Sequence, residues 1–377
     1  MSNISQKTHL RQSFITLITY LSISTLNAGI PTLKSIVDES STSSKTVRIL
    51  SFDGGGVRGI VEAELVRLLE ERLNEKQSGD KHVYLSDYFD IIGGTSAGGM
   101  LATFLTTPSS AGSMRPKYTA EDIVDILYHR VSDMFVPRII SFGGLFGAKY
   151  RIDCLRSVAH EYLGDEKTNN TTRHTAVLTY DIRMQEAKLI TSWDTKEVFS
   201  KVDASTATAA APSYFDPCEI TTIPAARRAG VATRTPKAYT LIDGGTAANN
   251  PALYLTIEAK KLYPQATQFE LVSIGSGHSN KPLFDMQEAG MLAWAPHVVS
   301  MFISAQTAQT EAFLAGMVPG NYTRLTPLLN RGDTRLDNTD ATNMAINIIA
   351  TRRYVNSQID KIDMLIDRLL KPRTDFL

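Results

Sequence analysis

The alternation of apolar and polar runs along the chain predicts strands and helices in turn. "TVRILSF" (46–52), with Val47, Ile49, Leu50 and Phe52, is of strand length and reads as a buried first strand. "IVEAELVRLLEERLNEK" (60–76) follows, with Val61, Leu65, Leu68, Leu69 and Leu73 at helical spacing on one face. "YFDIIGGTSAG" (88–98) reads as a second strand running into a glycine-rich turn, and "GMLATFLTT" (99–107) as the helix behind it. "HTAVLTYDI" (174–182) and "EAKLITSW" (186–193) predict two more strands. "ASTATAAAPSYF" (204–215) predicts a helix of small residues ended by Pro212. "AYTLIDGG" (238–245) and "FELVSIGSG" (269–277) are further strands, each closing on glycines. Helical patterns dominate from Met286 onward, notably "VNSQIDKIDMLIDRLLK" (355–371).

Strands that alternate with helices indicate an α/β fold with a mostly parallel sheet. Such sheets place their sites beyond the C-terminal ends of the strands, and the glycine clusters sit there. The chain has 377 residues, 43% hydrophobic and 21% charged, an ordinary globular composition with ample material for a core. Lys plus Arg and Asp plus Glu both number 39, so the net charge is zero and a nucleic-acid partner is not expected. Cys154 and Cys218 form no CxxC or Cys/His cluster, so no metal is expected, and two reduced cysteines are the simpler reading.

The N-terminus reads two ways. Lys7 and Arg11 precede the apolar "SFITLITYLSISTL" (13–26) and then "NAGIP", the order of a secretory signal peptide. The same stretch also reads as an amphipathic leader helix. It is too short and too rich in Thr and Ser for a transmembrane span, and none is expected. If residues 1–28 are a signal peptide, the protein is secreted or membrane-associated; otherwise it is cytoplasmic with peripheral membrane contact. The Ser-rich "DESSTSSK" (38–45) reads as a linker. The expected organisation is therefore a leader and linker over 1–45, a catalytic core over 46–285 and a helical part over 286–377 packed on the same domain.

Gly94-Thr95-Ser96-Ala97-Gly98 is G-x-S-x-G between a predicted strand and helix, the context of a nucleophile elbow. The serine must project from a strained turn, and Gly94 and Gly98 leave room for strand and helix to approach each other. A serine needs a base. Asp243 ends a strand, although Asp-Gly is also a common turn pair. The chain order allows a Ser96–Asp243–His278 triad as well as a dyad without histidine. Upstream, "DGGGVRG" contains the GxGxxG pattern of dinucleotide binding. That reading needs an acid at the end of the next strand, about 20 residues on. Here the distance falls on the charged face of the first helix, at Glu70, Glu71 and Glu75. Gly54, Gly55 and Gly56 suit another task, offering backbone N–H groups to an oxyanion.

"DGGGVRG", "GTSAG" and "DGG", in this order and each at a strand end, resemble the patatin-like phospholipases, as do "AAAPSYFDP", "DGGTAANNP" and "LVSIGSG". The resemblance runs from Val47 to at least Gly277. It implies a three-layer α/β/α fold, a Ser96 nucleophile, an Asp243 base, an oxyanion loop at Gly54–Gly56 and no cofactor. The substrate it implies is a phospholipid or membrane-surface lipid, cleaved as a phospholipase A does. Arg58 fits the family's basic loop position, either to neutralise phosphate or, by pairing with Glu62, to brace the loop. No role for His278 is implied. Alternatives are an esterase or thioesterase for soluble acyl groups, and a membrane-binding module without turnover. The apolar "MFVPRIISFGGLFGAKY" (134–150) reads either as a lipid-facing lid or as core packing with a turn.

Overall fold

The computed structural model describes residues 46–77, 79, 81–139, 147–224, 235–280, 290–318, 320–330 and 334–372. The expected leader and linker lie outside the described residues, as does the middle of the apolar 134–150 segment.

The first strand, β1 (Thr46–Phe52), is central. Its side chains alternate between two cores: Val47 and Ile49 face one layer of helices, Leu50 and Phe52 the other. It pairs in parallel with β2 (Ile91–Thr95) on one side and β7 (Gln268–Ile274) on the other. Beyond them lie β3 (His174–Asp181), parallel to β2, and β8 (Tyr322–Leu325), parallel to β7. β4 (Glu186–Thr191), β5 (Cys218–Thr221) and β6 (Ala238–Asp243) add antiparallel pairs at the β3 side. The result is a mostly parallel sheet in a three-layer α/β/α arrangement.

Helix α1 (Gly59–Lys76) buries Val61, Leu65, Leu69 and Leu73, the predicted face. Glu70 departs from the expected solvated face: its carboxylate is buried and accepts N–H bonds from Leu85 at 2.8 Å and Ala120 at 3.1 Å. α2 (Ala97–Thr106) follows the serine turn. α3 (Ala120–Met134) and α4 (Ile152–Leu163) pack on the same face, as does α5 (Lys201–Thr208). α5 starts earlier than predicted, at a Ser200 cap that accepts from the Val202 N–H, and ends at Thr208, before Pro212. On the other face, Ala252, Leu255 and Ala259 of α6 (Ala252–Leu262) meet Leu314 of α7 (Met291–Met317).

The C-terminal part is not purely helical, because β8 completes the sheet before α8 (Ala341–Ser357) and α9 (Ile359–Leu370). α9 buries Ile362, Leu365, Ile366 and Leu369 along one stripe. Its last turn is capped by a strand residue. Arg48 donates to the carbonyls of Leu369 and Arg368, both at 2.7 Å, and pairs with Glu270 at 3.1 Å.

Among the described residues, no helix is long and apolar enough to cross a membrane. Both cysteines are free, and the buried Cys218 sulfur accepts a bond from Arg156.

Candidate active site

The register of β3 brings two distant motifs together. Residues 176–178 pair with β2 and β4, and residues 179–181 with β4 and β6. β2 and β6 therefore lie end to end along one edge of β3. They run in opposite directions, so their C-termini meet: Thr95 is opposite Leu178 and Asp243 opposite Thr179. Ser96 follows Thr95 directly, and its Oγ donates to Asp243 Oδ2 at 2.6 Å.

Ser96 has φ 55° and ψ −127°, a strained conformation for a residue with a side chain. Three contacts hold it there. Its N–H donates to Thr208 Oγ1 at 2.8 Å, its carbonyl accepts from the Met100 N–H, and the Thr208 hydroxyl is itself anchored on the Leu178 carbonyl at 2.5 Å. Gly94 and Gly98 are required by contact. A Cβ on Gly94 would lie 2.1 Å from the Gly98 carbonyl oxygen, and one on Gly98 would lie 2.3 Å from that of Asp53. Thr208 comes from α5 and is a participant that the sequence motifs did not reveal.

Asp243 is buried, and burial pushes its carboxyl up to about 6, against the opposing pull of the bonds from Ser96 and from the Gly245 N–H at 2.7 Å. One carboxylate oxygen faces Ser96 and the other faces Gly245, and no histidine among the described residues bonds to either. His278 is exposed, its backbone bridges to Pro327 and Leu329, and it does not line the cleft.

The glycine loop arrives beside Ser96 from β1. Its peptides are held from behind: Ser276 Oγ donates to the Gly54 carbonyl at 2.9 Å, and the N–H and Nε of Arg58 donate to the Gly55 carbonyl. In a trans peptide the N–H points away from the carbonyl. The amides of Gly55 and Gly56 therefore turn from these anchors, and both residues line the cleft with Ser96, Ala97 and Asp243. Gly54 departs from the expectation, since its own N–H donates to the Asn249 carbonyl at 2.9 Å. Gly56 has φ +56°, and a Cβ there would strike the Leu336 carbonyl oxygen at 2.2 Å.

Arg58 braces the loop, but not through Glu62. Its guanidinium reaches the carbonyls of Gly55 at 3.4 Å and Gly277 at 3.2 Å. Both Glu62 oxygens are buried with no side-chain hydrogen-bond partner among the described residues, and burial raises that carboxyl well above its ordinary value.

The cleft above Ser96 has a volume of about 430 Å³ and is walled by Met100, Leu127, Val131, Met134, Phe135 and Leu155. Its size is that of a ligand site, and its wall suits an alkyl chain. At the described ends of the apolar 134–150 segment Met134 and Tyr150 are buried and Phe135 packs against Tyr150, while Ile139 is fully exposed.

The family model for patatin-like phospholipase matches residues 50–256. Patatin-like protein 2 of Arabidopsis thaliana is 30% identical over 75% of this chain and 76% of its own length. Patatin-04/09 of Solanum tuberosum is 29% identical over 84% of this chain and 85% of its own. A solved structure, VipD from Legionella pneumophila, aligns over 84% of this chain and 68% of that one with 13% identity and a TM-score of 0.33, too remote to bear on the fold. With the family match spanning more than half of its length, the chain belongs to the patatin-like phospholipases, a family of lipid acyl hydrolases.

Proposed function

We propose that the protein is a phospholipase of the A type that cleaves fatty-acyl esters of phospholipids through a Ser96–Asp243 dyad. One observation carries the proposal. A strained serine hydroxyl donates at 2.6 Å to a buried carboxylate at the base of an apolar cleft of acyl-chain character.

Each step has a group to perform it. Asp243 accepts the Ser96 proton as Oγ attacks the ester carbonyl carbon. Burial makes that carboxylate a stronger base than an ordinary aspartate. The carbonyl oxygen becomes an oxyanion facing the amides of Gly55, Gly56 and Ala97, the last at the N-terminus of α2 where the helix dipole adds to the effect. Each such donor is commonly worth about 3–4 kcal/mol. Collapse expels the lysophospholipid alkoxide, which takes the proton from Asp243 and leaves Ser96 acylated. Water then attacks the acyl-serine, giving its proton to Asp243, and the proton returns to Ser96 as the fatty acid leaves. Arg58 is a brace, because its guanidinium donates to the backbone carbonyls of Gly55 and Gly277.

Fatty-acid release from phosphatidylcholine vesicles in the presence of EDTA tests the proposal. The wild type and His278→Ala should release fatty acid, and Ser96→Ala and Asp243→Asn should lose at least about 1,000-fold. Loss of activity in His278→Ala, or its retention in Ser96→Ala, would contradict the dyad. Hydrolysis of soluble nitrophenyl or thioesters alone would contradict the phospholipid substrate.

A further inference from the structure

A set of charges, buried at Asp53 and half-buried at Arg324 and Glu311, lies beneath the glycine loop, and the dyad chemistry does not use it directly. Asp53, the residue before Gly54, is 3% exposed. Arg324 of β8 meets it through two parallel bonds, Nη1 to Oδ1 at 2.9 Å and Nη2 to Oδ2 at 2.6 Å. The same guanidinium donates from Nη1 to Ser273 Oγ on β7 and from Nε to Glu311 on α7, both at 2.8 Å. One side chain thus joins the glycine loop to a neighbouring strand and to the helix whose Phe302, Ile303 and Gln306 line the cleft.

The location of this cluster gives it a task. Backbone amides that receive an oxyanion are placed only by what holds the backbone, and Gly54–Gly56 have no side chains of their own to be held. Asp53 is the last residue before the loop that carries one. Its carbonyl oxygen also packs at the Gly98 contact, so a shift of Asp53 moves the loop against the serine elbow. Tethering a loop edge in this way needs the paired geometry of a guanidinium on a carboxylate, which a lysine does not reproduce. Buried ion pairs are weak contributors to net stability, so a role in geometry accounts better for one placed here.

We infer that Arg324 is a positioning residue for ester hydrolysis, acting through its paired bonds to Asp53 to hold the Gly55 and Gly56 amides where the oxyanion forms. The inference rests on the proposed Ser96 chemistry, and its test separates the two.

Arg324→Lys, Arg324→Met and Asp53→Asn are compared with the wild type on p-nitrophenyl butyrate. Binding is measured for an alkyl trifluoromethyl ketone, which forms a tetrahedral oxyanion adduct with the serine, and for the matching unreactive ether. A displacement of about 1 Å at a reacting centre is worth about 100-fold in rate. The folded variants should therefore lose on the order of 10- to 100-fold in kcat with KM within about threefold. Ketone affinity should fall in step while ether affinity is kept. If Arg324→Met does not fold, Arg324→Lys and Asp53→Asn carry the same comparison, since each leaves a cation facing Glu311. Unchanged kcat in a folded variant, or equal losses of ketone and ether binding, would overturn the inference. A wild type that forms no ketone adduct at Ser96 would overturn the underlying chemistry and the inference with it.

Discussion

A carboxyl group raised to about 6 is a capable base at neutral pH and a costly one to bury. Asp243 must be ionised to take the Ser96 proton, so kcat/KM should rise with pH to a plateau above about 6; a pH–rate profile that is flat down to pH 4.5 would contradict this assignment. The same shift carries a stability consequence. The folded carboxyl binds its proton more tightly than the unfolded one, so its stabilising share is fully present below the ordinary value of 3.8 and is lost as pH rises through about 6. Asp243→Asn should therefore melt above the wild type at pH 7.5, with the gain shrinking toward pH 4.5, as calorimetry at the two pH values would show. At this scale the motifs made Ser96 and Asp243 legible, and the resemblance gave them roles. They did not reveal that the Gly54 amide donates to Asn249, or that Arg58 reaches the Gly277 carbonyl as well as that of Gly55, because Asn249 and Gly277 lie on loops far away in sequence.

Between elements, the site depends on two strands ending head to head against β3. The glycines at the elbow exist for this approach. Gly98→Ala places a methyl against backbone on β1, where no side chain can yield, and should cost roughly 3 kcal/mol or more in stability. Thr208→Val removes the acceptor for the Ser96 N–H and leaves that buried donor unpaired. Denaturant melts should show a loss of about 1–3 kcal/mol, with kcat falling because the serine is no longer held in its strained turn. Arg48→Met disturbs the opposite end of β1. It should cost about 3 kcal/mol, leaving Glu270 with Arg368 alone and uncapping the last turn of α9, while the folded fraction keeps its turnover number. Strand-length apolar stretches and one helical face made β1, β2, β3, β4, β6, β7 and α1 legible in the sequence. β8 was hidden in a helical stretch because it spans only Tyr322–Leu325, with Thr323 and Leu325 buried and Arg324 on the half-buried alternate face. The polarity that disguised it is explained by Asp53, Ser273 and Glu311, none of which is near it in sequence.

For the whole molecule, the sequence indicated where a site would be and not the shape of what it accepts. The motifs lie on strand ends. The cleft wall comes instead from α2, α3 and α4, through Met100, Leu127, Val131 and Leu155, whose apolar patterns look like any core face until the helices are placed. The claim on which the rest depends is that an acyl group passes through Ser96. Acid quench of the enzyme during turnover of a phospholipid, followed by intact mass and peptide mapping, tests it directly. The account predicts one added acyl mass on the peptide containing Ser96, absent in Ser96→Ala. Acylation of another residue, or fatty-acid release by Ser96→Ala at the wild-type rate, would contradict it.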